Sequence, residues 1–334
     1  MPVNEQWLSQ IQEDIIDPGR EIVDPHHHFW HDGPPRGFPY LLEHLWEDTG
    51  SGHNVTQTVF IEAGAEYRSD GPDPLRPVGE SDFVAELAAR SAGGDGATVA
   101  AIIGHANTSL GENVRPVLEA HVEASQGLFR GIRHHGSWDA SPDVPNSRIE
   151  PPPHLFLSES FQAGIRVLGE MGLSFDVWCY HPQLPEVVEL AKACPETPMI
   201  LNHLGGVIGI GPYSDRSEEV FEEWKASYAA LAQCPNIYGK LGGLAQGVNG
   251  RGWETRDLPP TSDEIADQQR PFYLHAIKCL GPDRCMFESN FPVEKESVSY
   301  HVLYNAFKKI AADFSEAEKD DLFSGSAMRA YRLS

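Results

Sequence analysis

Eight short apolar runs, most of them followed by an amphipathic stretch, put the tightest limit on what this chain folds into. The runs cover 21–28, 56–63, 97–104, 129–133, 174–180, 198–203, 236–241 and 284–289. Helical periodicity occupies the intervals near 80–92, 111–125, 160–171, 183–193, 216–233, 262–280 and 296–311. Strands alternating with helices predict a parallel sheet. Eight such units in 334 residues suit a closed (β/α)8 barrel better than an open doubly wound sheet. No GxGxxG follows the first run, which argues against a dinucleotide-binding sheet. With no linker or break in composition, 21–334 read as one barrel domain behind an N-terminal arm of 1–20.

Longer connections follow the first run (29–55, rich in Pro, Gly and aromatics), the fourth (134–158) and the seventh (242–261). All three leave the C-terminal ends of strands, the face on which barrel enzymes build their pockets. A distorted barrel with long loops on that face is therefore expected, and 315–332 read as a closing helix.

Composition excludes several functions. With 49 acidic against 25 basic residues, the formal net charge is −24, which disfavours nucleic acid and anionic membrane surfaces as partners. The five cysteines are odd in number and form no CxxC pair, so a reducing compartment is expected. The first twenty residues are acidic and lack the apolar core of a leader peptide, and no apolar run reaches membrane-spanning length. The expectation is a cytoplasmic protein acting on a small molecule, with homo-oligomerisation left open.

The segment Ile22-Val23-Asp24-Pro25-His26-His27-His28-Phe29-Trp30 carries the first chemistry. Side chains on a strand alternate faces, so His26 and His28 share one face and His27 takes the other. His181 follows the fifth run and His203 closes the sixth, so a barrel would gather four distant histidines at one mouth. His26, His28 and His203 are the candidate metal ligands. Zinc is the divalent ion expected of imidazoles with an open position, and a metal-free site is the alternative. His181 is a further candidate ligand or acid/base, whereas His27, His134 and His135 read as loop or supporting residues and His105 as structural. Arg130 and Arg133 flank the end of the fourth run, where a guanidinium fork could hold a substrate carboxylate. Tyr67, Trp138, Tyr180 and Trp253 are candidates for an aromatic lining, with Trp138 and Tyr180 placed against the substrate. Glu62 and Glu288 are candidate bases, with pairing inside the barrel, for example Glu288 to Lys240, as the alternative.

Four motifs in order, Asp24-Pro-His-His-His-Phe-Trp, Arg130-Gly-Ile-Arg133, Leu201-Asn-His-Leu-Gly-Gly and Met286-Phe-Glu-Ser-Asn-Phe-Pro-Val293, resemble the amidohydrolase 2 family. That family includes 2-pyrone-4,6-dicarboxylate, fucono- and rhamnono-lactonases and metal-dependent decarboxylases. The resemblance implies a distorted (β/α)8 barrel whose catalysis uses the HxH pair, a His of the sixth strand and an Asp of the eighth. One departure stands out. Where the family pattern has Asp in a Gly-Ser-Asp-Trp-Pro-like stretch, this chain has Asn290. An amide neither takes a proton as a base nor binds metal as an anion. It can still orient water or donate to a developing oxyanion.

The reading is a hydrolase that opens a lactone or cleaves an amide-type bond in a small carboxylated substrate with activated water. His26, His28, His181, His203 and Asn290 are its catalytic candidates. Decarboxylation of an aromatic or unsaturated acid is the alternative chemistry, and a binding barrel without turnover is the third reading.

Overall fold

The computed structural model describes residues 3–32 and 37–334. Its strands are β1 (Glu21–His27), β2 (Asn54–Ile61), β3 (Thr98–Gly104), β4 (Phe129–His135), β5 (Ser174–Trp178), β6 (Met199–Leu201), β7 (Ile237–Leu241) and β8 (Cys285–Phe287). They pair in chain order and every pair is parallel, the (β/α)8 barrel expected from the sequence. Among the described residues β8 and β1 share no ladder. Two backbone bonds bring them together: His28 N–H donates to Phe291 O at 2.9 Å, and Asn290 N–H donates to His26 O at 2.9 Å. Asp24 reinforces the junction, because its Oδ1 accepts from Ser289 N–H at 3.0 Å.

The strands are largely apolar because both faces are covered, with ionisable side chains such as Asp24, Asp176 and Lys240 buried among them. Inward-facing Val23, Val59, Ile61, Ala101, Ile103, Ile200 and Met286 meet Ala327, Ala330 and Tyr331 of the last helix, Ser326–Tyr331. Each Val, Ile or Met side chain removed from water there contributes roughly 1.5–3 kcal/mol. The expected closing helix thus exists in pieces, and its last piece packs into the barrel interior. Alternate residues such as Phe60, Ile102, Ile132 and Phe175 face outward into the helical layer.

The expected helices appear as Val78–Ala92, Arg115–Ala124, Glu159–Glu170, Leu184–Ala193, Ser217–Leu231, Ser262–Leu280 and Tyr300–Ile310. The segment after β1, expected as a loop, contains one more helix, Leu42–Thr49. Residues 3–20 lie across the outside: Trp7 Nε1 donates to Arg256 O at 2.9 Å, and Glu5 pairs with Lys295 at 2.7 Å. Among the described residues no helix is long and apolar enough to cross a membrane.

Candidate active site

The mouth of the barrel holds a cavity of about 370 Å³ whose lining includes His28, Arg133, His203 and Asn290. Strand alternation explains the first pair. His26 and His28 come together with ring centroids 4.9 Å apart, while His27 faces the wall, bonded to Thr58 Oγ1 at 3.1 Å. His203 joins from the end of β6, its ring 4.5 Å from that of His26. It sits in the left-handed region at φ 53°, a costly conformation for a non-glycine residue that surrounding structure must enforce. Gly243, at φ 70°, supplies the room: a Cβ there would lie 2.4 Å from His203 Cβ.

Glu288, one residue past β8, is fully buried and addresses two imidazoles at once. Its Oε1 accepts from His203 Nδ1–H at 2.7 Å and from His203 N–H at 3.0 Å. Its Oε2 lies 2.7 Å from His26 Nδ1 but has no aligned hydrogen bond, so its acceptor capacity is unfilled. A carboxylate only accepts, so His203 carries its proton on Nδ1 and presents Nε2 as a lone pair. Burial lowers the His203 pKa below the usual imidazole range, although Glu288 opposes this. Burial and the charges of Lys240 and His203 push His26 the same way. Both rings are therefore neutral at pH 7.

Lys240 does not pair with Glu288. Its ammonium meets Asp176 at 2.8 Å, and it reaches His26 Nδ1 at 3.2 Å. Arg133 Nη1 stands 3.3 Å from His26 Nε2, while its Nε donates to Glu62 Oε1 at 2.8 Å. Glu62 also holds His135 and Arg148. Burial alone would raise the Glu62 pKa, but the charges of His135, Arg148 and Arg133 hold it well below the usual carboxylate range. Glu62 is thus the fixed counter-ion of a cationic wall. Asn290, at φ 55°, faces His28: its Oδ1 is 3.2 Å from His28 Nε2, and its Nδ2 donates to Glu294 Oε1 at 3.4 Å.

Three expected site residues lie elsewhere. Arg130 is an odd number of positions from Arg133 and near the start of β4, so it points away and donates to Gly127 O at 2.7 Å. His181 does not line the cavity; its Nδ1 accepts from Ile208 N–H at 3.2 Å and its ring packs 5.3 Å from that of Tyr213. Trp138 is also outside the lining, its N–H donating to Gln183 Oε1 at 3.1 Å. Tyr180 does line the cavity, whereas Tyr67 and Trp253 do not. The sequence reading missed Arg148 and Trp178, and it placed His135, which lines the cavity, among the loop or supporting residues. Parity with Arg133 points to His135, because β4 runs two residues further than the apolar run; nothing local in the loop marks Arg148.

The metal candidates also change. Among the described residues, the donor atoms that fall within 4.8 Å of one another belong to His26, His203 and Glu288, whereas His28 is turned to Ile61 O and Asn290. Two neutral imidazoles and a carboxylate with an unfilled oxygen fit a divalent cation.

A family model described as Amidohydrolase, Amidohydro_2, matches residues 23–333. The chain belongs to that family. It is 32% identical over 324 residues to the uncharacterised protein y4mH of Sinorhizobium fredii, covering 93% of this chain and 98% of that one. It is 26% identical over 334 residues to the L-fucono-1,5-lactonase of Burkholderia multivorans, covering 93% and 96%. A zinc-bound amidohydrolase structure from Burkholderia multivorans superposes with a TM-score of 0.71 at 22% identity, covering 94% and 99%, and shows the shared fold. Amidohydrolase membership supports a hydrolase-type enzyme, and the donor cluster supports a divalent-metal site.

Proposed function

We propose that this amidohydrolase opens a lactone, or cleaves an amide-type bond, in a small carboxylated molecule by attack of activated water. The observation that carries the reading is the Glu288–His203 pair beside a cavity lined by Arg133 and Arg148. With Nδ1–H committed to Glu288, His203 Nε2 is free to take a proton from water as the water attacks the carbonyl carbon. The imidazolium that results is stabilised by Glu288, as in a carboxylate–histidine dyad. This replaces the base that Asn290 cannot be. Asn290 holds its amide against His28 and orients the bound water. Arg133 and Arg148 hold the substrate anion, with Glu62 keeping both in place. A divalent metal held instead by His26, His203 and Glu288, zinc for this donor set, would take the His203 lone pair as a ligand and supply Lewis acidity and a more acidic water in place of that base. The relationship to a lactonase over 93% of the chain favours lactones over amides as the starting panel.

The test is proton release, followed by pH-stat, from aldonolactones and dicarboxylate lactones, and amine release from N-acyl acids, with carbon dioxide measured in parallel on aromatic acids. Metal content is determined on the same protein before and after chelation. Acid release from a lactone or amide, lost in Glu288→Gln, supports the proposal. Carbon dioxide release, or no turnover across the panel, ends it.

A further inference from the structure

Behind the loop that follows β7 lies a second cavity, about 340 Å³, that shares no lining residue with the catalytic one. Its lining joins Phe221, Phe272 and Val220 to Ser217, Gln268 and Arg251. Arg251 is the informative member. Nη1 donates to Gln268 Oε1 at 3.1 Å, and Nε is buried with no acceptor. Among the described residues no carboxylate is within ion-pair distance of it. Every other described arginine either meets a carboxylate or closes on main-chain carbonyls. In a chain with 49 acidic and 25 basic residues, a guanidinium without a counter-charge is not explained by a shortage of anions.

A half-buried cation bonded to a neutral amide and lying 6.0 Å from the Trp253 ring centroid leaves donors unused and has no anion to offset its desolvation. The fork that remains matches a carboxylate. Ser217 also opens the 15-residue helix Ser217–Leu231, whose positive end favours an anion, and the acidic side chains that follow it, Glu218 and Glu219, do not line the cavity. The aromatic walls call for an apolar body, and the volume is within the usual range for small-molecule sites.

We propose that this cavity is a second binding site for a small carboxylate with an apolar body, an aryl or short acyl acid, with its carboxylate on Arg251 and its body against Phe221 and Phe272. The wall between the two sites is one stretch of chain: Gln246, Gly247 and Val248 line the catalytic cavity, and Asn249, Gly250 and Arg251 line this one.

Crystals of the full-length protein soaked in 4-bromobenzoate, read by the anomalous signal of bromine, test the location. The expected result is a bromine peak between Phe221 and Phe272 with the carboxylate on Arg251. A peak confined to the barrel mouth, or none up to the solubility of the probe, overturns the proposal. In solution, fluorine NMR titration of 4-fluorobenzoate should give binding that survives Arg133→Met and weakens at least about tenfold in Arg251→Met. The uncharged isostere 4-fluorobenzamide should lose the same factor on the native protein. Equal affinity for acid and amide, or a titration unchanged in Arg251→Met, overturns it equally.

Discussion

Replacing Glu288 by Gln keeps the shape of the side chain but removes the anion that fixes His203 Nδ1–H and stabilises the imidazolium. Loss of the acidic member of such a dyad costs kcat about 10²- to 10⁴-fold. Steady-state kinetics on Glu288→Gln, with the folded state verified by thermal melting, checks this; an unchanged kcat removes His203 as the base. A second buried acid reports on stability. Glu80 Oε1 accepts from the N–H groups of Ala63 and Ala65, each at 2.8 Å. Burial and then the Glu62 charge push its pKa from 4.5 up to about 8. The folded value exceeds the unfolded one, so this stabilisation is complete below the unfolded pKa and is lost as pH rises toward 8. The slope approaches about 1.4 kcal/mol per pH unit. Glu80→Gln keeps the acceptor and abolishes the titration, so between pH 5 and 8 its melting temperature falls less than that of the native protein.

The elements explain which side chains reached the mouth. Gly243 turns the chain out of β7 at φ 70°, in contact range of His203. Gly243→Ala places a methyl group 2.4 Å from His203 Cβ, inside van der Waals contact, so we expect a cost of about 1–3 kcal/mol and a displaced imidazole. Melting curves and kcat together check it: activity falls further than the lost stability explains. Strand alternation made His26 and His28 legible as a pair and His27 as their outward neighbour. The same rule separates Arg133 from Arg130, but it needs the strand's end, and the apolar run stops before His135. The helix Leu42–Thr49 was hidden in a stretch whose prolines, glycines and aromatics read as loop. Arg148 enters the site through a tertiary ion pair with Glu62 from a loop without periodicity, and no local pattern encodes such a pair.

For the whole molecule, the barrel was legible because eight repeats of one unit admit few other architectures. The site was legible only where ligands sit at strand ends; which nitrogen meets which oxygen depends on the closed sheet. The charge of −24 acts at the same scale. It repels an anionic substrate beyond the reach of the arginine wall, and salt screens that repulsion before it weakens the buried contacts. The expectation is that kcat/KM for an anionic substrate rises between about 0.01 and 0.15 M salt, while that for a neutral lactone stays flat. Stopped-flow or initial-rate series at both extremes measure it.

His26 and His28 stand on one side of the junction between β8 and β1, with Glu288 and Asn290 on the other, and among the described residues two backbone bonds and a few side-chain bonds, from Asp24, Ser289 and Asn290, span it in place of a ladder. A molecule gripped by both sides is therefore a rivet across the weakest stave of the barrel. Catalysis and mechanical closure share one location, so whatever fills the mouth also resists the first step of unravelling.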